Sequence, residues 1–160
     1  MRKLLILFGS VIGMLILANP SGASSPPVLA SGAYTVAIVP GTAELVPQGK
    51  QCIVYVETRT TYTGTLEGMS ETVGPVQVRF FATCEELVAS GFTGIRSVSR
   101  AEEHFVGDDG TELTLLLVGR TDTEGIYQGT IVVQGDLQGV LRDEGASGVA
   151  GTYEGRLVRR

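Results

Sequence analysis

From Ala33 onward the chain never sustains an apolar period of 3.6 residues. Instead, short runs rich in Val, Ile, Thr and Tyr are broken every few residues by glycine. Alternating β-branched and aromatic residues suit a pleated, half-buried surface, and regularly spaced turn residues between such runs predict an all-β fold. "VGPVQVRFF" shows the pattern most cleanly, with Val76, Val78 and Phe80 on one face and Gln77 and Arg79 on the other. Pro75 stands near its start, where a missing N–H is tolerated. "CIVYVETRTTYTGTLEG" reads as one strand to Leu66, with Cys52, Val54 and Val56 opposite Ile53 and Tyr55, and with Glu67-Gly68 as its break. The one helix-like piece is "TCEELVASG", with Thr83 placed to cap it and Gly91 to end it.

Turn chemistry falls at Asp108-Asp109-Gly110, at Thr123-Glu124-Gly125 and along the glycine-rich "GDLQGVLRDEGASGVAG". Between the first two, Leu113, Leu115 and Leu117 share one face and supply core. Strands of this length and spacing predict a single antiparallel meander that curls into a barrel or a sandwich. Closure removes exposed edges, and glycines within the strands relieve crowding where a small barrel bends.

The N-terminus has a different composition. Arg2 and Lys3 precede an apolar run from Leu4 to Leu17, followed by Pro20 and small residues to Ala23. This is the layout of a secretory signal peptide, and the run is shorter than the roughly 20 residues a membrane-spanning helix needs. The expectation is a leader over 1–23 cleaved near Ala23, an extended spacer over 24–32 ("SSPPVLASG") and one domain over 33–160, located outside the cytoplasm, with no membrane span once the leader is removed. Without Arg2 and Lys3 the 12 basic residues fall to 10 against 17 acidic ones, a net charge of −7. Such a surface argues against nucleic acid as a partner, because phosphates demand clustered Lys and Arg. In an exported chain Cys52 and Cys84 can pair, and pairing is preferred over two separate buried thiols.

Candidate chemistry is sparse. His104 is the only histidine, so no histidine-based metal cluster forms, and neither a metal nor a cofactor is expected. Asp108 and Asp109 read as hairpin geometry rather than as a calcium loop, and Asp122, Glu124, Asp143 and Glu144 read as turn residues. Strand parity puts Arg100, Glu102, His104 and Val106 outside and Ala101, Glu103 and Phe105 inside. Glu103 would then be a carboxyl group within an apolar lumen, able to anchor a ligand or to move a proton. The simpler alternative is a bulge that leaves Glu103 at the surface, and it is preferred. Arg79 has two readings as well: lining the barrel, where its planar fork would hold an anion, or exposed behind Val76, Val78 and Phe80, which again is preferred. Tyr55, Tyr62, Tyr127 and Tyr153 lie in strand runs and would give an apolar pocket polar handles if they share the interior. Glu103, Arg79, Tyr55 and Tyr127 are the ligand-binding candidates.

"YTGTLEG" (62–68), "FTGIRSVSRAEEHFVGDDG" (92–110) and "VVQGDLQGVLRDEGASGVAGTYEGRL" (132–157) resemble, in order, a bacterial family of unknown function that is itself similar to the allene oxide cyclase-type, lipocalin-like β-barrel. The resemblance implies roughly eight strands, and it carries no catalytic residue onto this chain. Three function classes follow: a non-enzymatic exported barrel that binds a small apolar molecule or serves a surface assembly, a cofactor-free isomerase or cyclase, and a peptide binder using an open sheet edge. The protein partner of a surface assembly is not specified by any motif.

Overall fold

Alternating burial along each long strand sorts the side chains into an interior and a water-facing exterior. The computed structural model describes residues 26–146 and 149–160. In chain order these form β1 (Val28–Ile38), β2 (Glu44–Gln48), β3 (Gln51–Val56), β4 (Thr58–Gly64), β5 (Gly68–Thr72), β6 (Val76–Phe80), α1 (Cys84–Ala89), β7 (Ser97–Gly107), β8 (Glu112–Thr121), β9 (Ile126–Gly135), β10 (Leu137–Ala146) and β11 (Ala150–Arg159). An antiparallel barrel of 8 strands closes in the order β7-β5-β4-β1-β11-β10-β9-β8, with β8 returning to pair with β7. Its outer face carries charge at mid-strand, including Arg100, Glu102, Arg142, Glu154 and the exposed Arg59–Glu71 ion pair at 2.9 Å.

The remaining three strands form a flap at one end. β7 is long enough to pair with β5 along 103–107 and with β6 along 97–100, so β5 and β6 follow one another along its edge. The run expected to be one strand over 52–66 is broken at Glu57 into β3 and β4 for the same reason: β4 pairs with β5 and β1 in the barrel, whereas β3 pairs with β6 and β2 outside it. β2 is the free edge of this flap, and Pro47 lies in it, where an absent N–H costs no ladder bond.

The flap is fastened by α1. Thr83 accepts from the Glu86 amide at 3.3 Å while the Glu86 carboxylate accepts from the Thr83 amide at 2.9 Å, a reciprocal cap. A disulfide joins Cys84 at the start of α1 to Cys52 of β3 across 32 residues. On the chain-entropy model a loop of that size is stabilised by about 3 to 4 kcal/mol. Leu87 packs beneath the helix against Cys52, Val54, Leu45, Val78 and Phe80, a small core separate from that of the barrel.

Glycines inside the strands make room for large neighbours, as the sequence leads one to expect. Tyr34 stands opposite Gly151, Tyr153 opposite Gly32, Leu141 opposite Gly155 and Leu157 opposite Gly139. A methyl group on Gly32 would run into the Tyr153 phenol and the Thr63 carbonyl. Tyr153 fills that gap and ties its hydroxyl to the β4–β5 turn, accepting from Leu66 N–H at 2.7 Å and donating to Thr63 O at 3.0 Å. Leu66 from the same turn then plugs this end with Phe105, Leu113, Leu115, Val133 and Leu157.

The turns follow their local chemistry. At β7–β8 the Asp109 carboxylate accepts from Thr111 N–H at 3.0 Å, and Gly110 takes a φ of 83°. At β8–β9 Asp122 accepts from the amides of Glu124 and Ile126, both at 2.9 Å. Two boundaries differ from expectation. The spacer does not reach residue 32, because Val28 to Gly32 already pair with β11 and bury Ala30. The glycine-rich stretch is strand over Leu137–Ala146 and again from Ala150, with Gly139 against Leu157 and Gly151 against Tyr34 rather than in turns. The expected leader lies outside the described residues.

Candidate functional site

Beyond Phe105 and Leu115 the inward positions change character and the lumen empties. They become Thr58 and Thr60 on β4, Ser97, Ser99 and Ala101 on β7, Thr121 on β8 and Gly129 on β9, too small to meet across the barrel. A cavity of about 890 Å³ results, open at the flap end. Val36, Val54, Val56, Val78, Phe80 and Leu117 form its apolar walls. The rim is built from the Gly91–Ile95 segment after α1, the 122–125 turn and Val149. Phe92 holds a φ of 64°, unusual for a side chain of its size, and its ring meets Phe80 edge-on at 6.0 Å.

The floor is polar. Glu103 is only 3% exposed and points inward, so the unbroken parity reading holds and the preferred surface alternative does not; no bulge intervenes in its pairing with Leu115. Three hydroxyls donate to its carboxylate: Thr60 at 3.1 Å, Tyr62 at 3.0 Å and Ser70. Thr60 and Tyr62 are two apart on β4 and Ser70 is the cross-strand partner of Thr60, so the three donors share one inner face. Tyr62 is locked in place by rings at 5.7 Å (Phe105), 6.0 Å (Tyr153) and 6.1 Å (Tyr34).

A second carboxyl group, Asp143 of β10, faces the same space and is 2% exposed. Gly129, its cross-strand partner, leaves room for both Asp143 Oδ1 and the Tyr127 hydroxyl above its Cα. Burial pushes the Asp143 carboxyl up to about 6. Its own backbone amide and the Tyr127 hydroxyl act against that shift, and the Glu103 charge adds to it. Burial also raises the phenols: Tyr127 to about 12, with Asp143 adding to the shift, and Tyr34 and Tyr62 further still, with Asp143 and Glu103 respectively as the next cause. These tyrosines therefore stay protonated, and Tyr62 donates to Glu103. Among the described residues two buried polar side-chain atoms have no partner, Asp143 Oδ1 and the Tyr34 hydroxyl.

Of the residues singled out from the sequence, Glu103 and Tyr127 come together here. Tyr62 joins them, and Tyr153 lies below in the filled end. Arg79 does not line the lumen: it is exposed on the outer face of β6, with Val76, Val78 and Phe80 on the cavity side. Tyr55 is likewise displaced, because Val54 and Val56 take the cavity face of β3 and alternation sends Tyr55 to the other. Asp143 and Tyr34 were missed. Asp143 looked like turn chemistry in "RDEG", although Leu141 two residues earlier carried the inward parity. Tyr34 alternates with Val36 in "GAYTVAIV" in the same way.

The arrangement can hold an elongated molecule with its apolar part along the walls and a polar group at the floor. No protein-family model and no curated protein matches the chain. The Cys52–Cys84 pair is consistent with an extracytoplasmic protein.

Proposed function

We propose that this protein is an exported, non-enzymatic carrier or receptor that holds a small, largely apolar molecule in the cup of its barrel. The observation that carries this reading is the cavity of about 890 Å³, apolar along its walls, open at one end and ending on buried polar atoms, two of them unpaired. A barrel serving only as a structural unit has no use for an unfilled lumen, since close packing would stabilise it further. The signal-peptide layout of residues 1–23 supports export, and a disulfide persists best outside the cytoplasm.

Native mass spectrometry of the protein recovered from the compartment to which its own cell exports it tests the idea. A retained small molecule that is lost on unfolding is the expected result. Bare protein that also fails to bind a fluorescent apolar probe would overturn it.

A second reading rests on Asp143. A carboxyl group raised to about 6 beside Tyr127, with Glu103 held differently on the same floor, is the kind of unequal pair that serves acid–base chemistry. The resemblance to allene oxide cyclase-type barrels points the same way, to a cofactor-free isomerisation or cyclisation. Recovery of a ligand chemically unchanged after incubation with the protein favours the carrier.

A further inference from the structure

The floor of the cup holds two carboxyl groups, and among the described residues no lysine, arginine or histidine lines the cavity. The two are served unequally. Glu103 has three hydroxyl donors, whereas Asp143 keeps Oδ1 without a partner although it is 2% exposed. An unpaired carboxylate oxygen removed from water is costly, and the residue that carries it lines the cavity. The Tyr34 oxygen, the other unpaired atom, lies close enough to feel the Asp143 charge. Asp122 and Glu124 add acids at the rim, so the cup is acidic from mouth to floor.

Resting on the reading of the cup as a binding site, we infer that its ligand is an apolar molecule bearing a protonated amine, whose ammonium pairs with the Asp143 carboxylate. An ammonium carries three donors and no acceptor, so it fits a floor that lacks a cation. Tyr34 and Tyr127 line the cavity too, and aromatic rings are favourable surroundings for a cation. The tail runs along Val36, Val54, Val78 and Phe80. A carboxylate head would instead bring a third negative charge to a floor with no cation to receive it. An alcohol would hydrogen-bond the same carboxylate and leave its charge uncompensated. Charge-assisted hydrogen bonds are roughly twice as strong as neutral ones, which makes the amine the favoured head group.

Calorimetric titration at neutral pH with three probes that share one tail, decylamine, decan-1-ol and decanoic acid, each below its micellar concentration, reads this directly. Decylamine is expected to bind about tenfold or more tighter than the alcohol, and the acid more weakly than either. Asp143→Asn should remove the preference, bringing decylamine down to the affinity of the alcohol, with circular dichroism checking that the variant keeps its strands. Alcohol or acid binding as tightly as the amine to the unmodified protein overturns the inference and leaves the cup a binding site. So does decylamine affinity unchanged in a folded Asp143→Asn variant. Binding of none of the three overturns the inference and the carrier reading together. The head-group preference of the unmodified protein is a test in itself, whatever the variant's folding.

Discussion

The same strands line two very different half-lumens. At the end closed by the β4–β5 turn, inward positions hold Leu113, Leu115, Val133, Leu141 and Leu157 and the space is filled; at the flap end, continuations of these strands present Thr, Ser, Ala and Gly and the space is open. Strand geometry is common to both, so the volume of the inward side chains, not the fold, decides where the barrel is core and where it is container. The boundary lies between two successive inward positions of β7, where Phe105 packs into the filled half and Glu103 forms the floor of the empty one. A barrel built this way keeps its stability at one end and is free to vary its chemistry at the other.

That division can be broken by substitution. Leu115 is fully buried in the filled half, and Leu115→Ala should cost about 3 to 5 kcal/mol in urea denaturation. Val36→Ala, on the wall of the cup where one side already faces empty space, should cost less than about 1.5 kcal/mol. Equal losses would mean that the cup is packed in solution and the division is false. A smaller effect is expected from overfilling. Gly32→Ala places a methyl group against the Thr63 carbonyl, which is backbone and yields little, as well as against Tyr153, and should destabilise by about 1 to 3 kcal/mol. At Gly129 the obstacles are the Asp143 and Tyr127 side-chain tips, so Gly129→Ala should lose less stability while disturbing the floor.

Another expected effect of modest size is in pH dependence. Because the folded Asp143 keeps its proton up to about pH 6, against 3.8 for the ordinary group, the folded state binds more protons between those values. Its contribution to stability is therefore complete at the acid end and is lost as pH rises through about 6. Glu103, Tyr34, Tyr62 and Tyr127 are the titratable groups that face it. With the shift discounted for screening by the polar groups around it, unmodified protein should lose about 1 to 2 kcal/mol more than Asp143→Asn between the two limits. Parallel stability curves for the two proteins would place Asp143 in water and sharpen the boundary of the cup.

Much of the filled half was legible beforehand, and less of the cup. Leu113, Leu115 and Leu117 declare an inner face by alternation, and Arg79 falls outside for the same local reason. Glu103 was visible by parity and discounted in favour of a bulge, because neighbouring residues alone do not fix where a strand's alternation is broken. Its donors are 33 to 43 residues away in sequence, on β4 and β5. Asp143 was hidden by the glycines around it. Gly139 and Gly145 suggest a turn when read locally, whereas Gly139 faces Leu157 and Gly145 lies against the β11 backbone at Ala150 and Gly151.

By itself the chain's order of residues determined the all-β class, the hairpin corners at Asp109-Gly110 and Glu124-Gly125, the capped turn of helix at Thr83 and the alternation that assigns each strand an inner face. These are set by φ preferences, hydrogen bonds over two to four residues and the period of a pleat, all within reach of neighbouring positions. Only the tertiary structure decided that β7 and β8 close the ring, that a flap stands over one end, that Cys52 meets Cys84, and that Glu103 and Asp143 share one floor with unequal partners. Those outcomes depend on which strands meet across the lumen and on how much volume each brings there, and no local window contains that information.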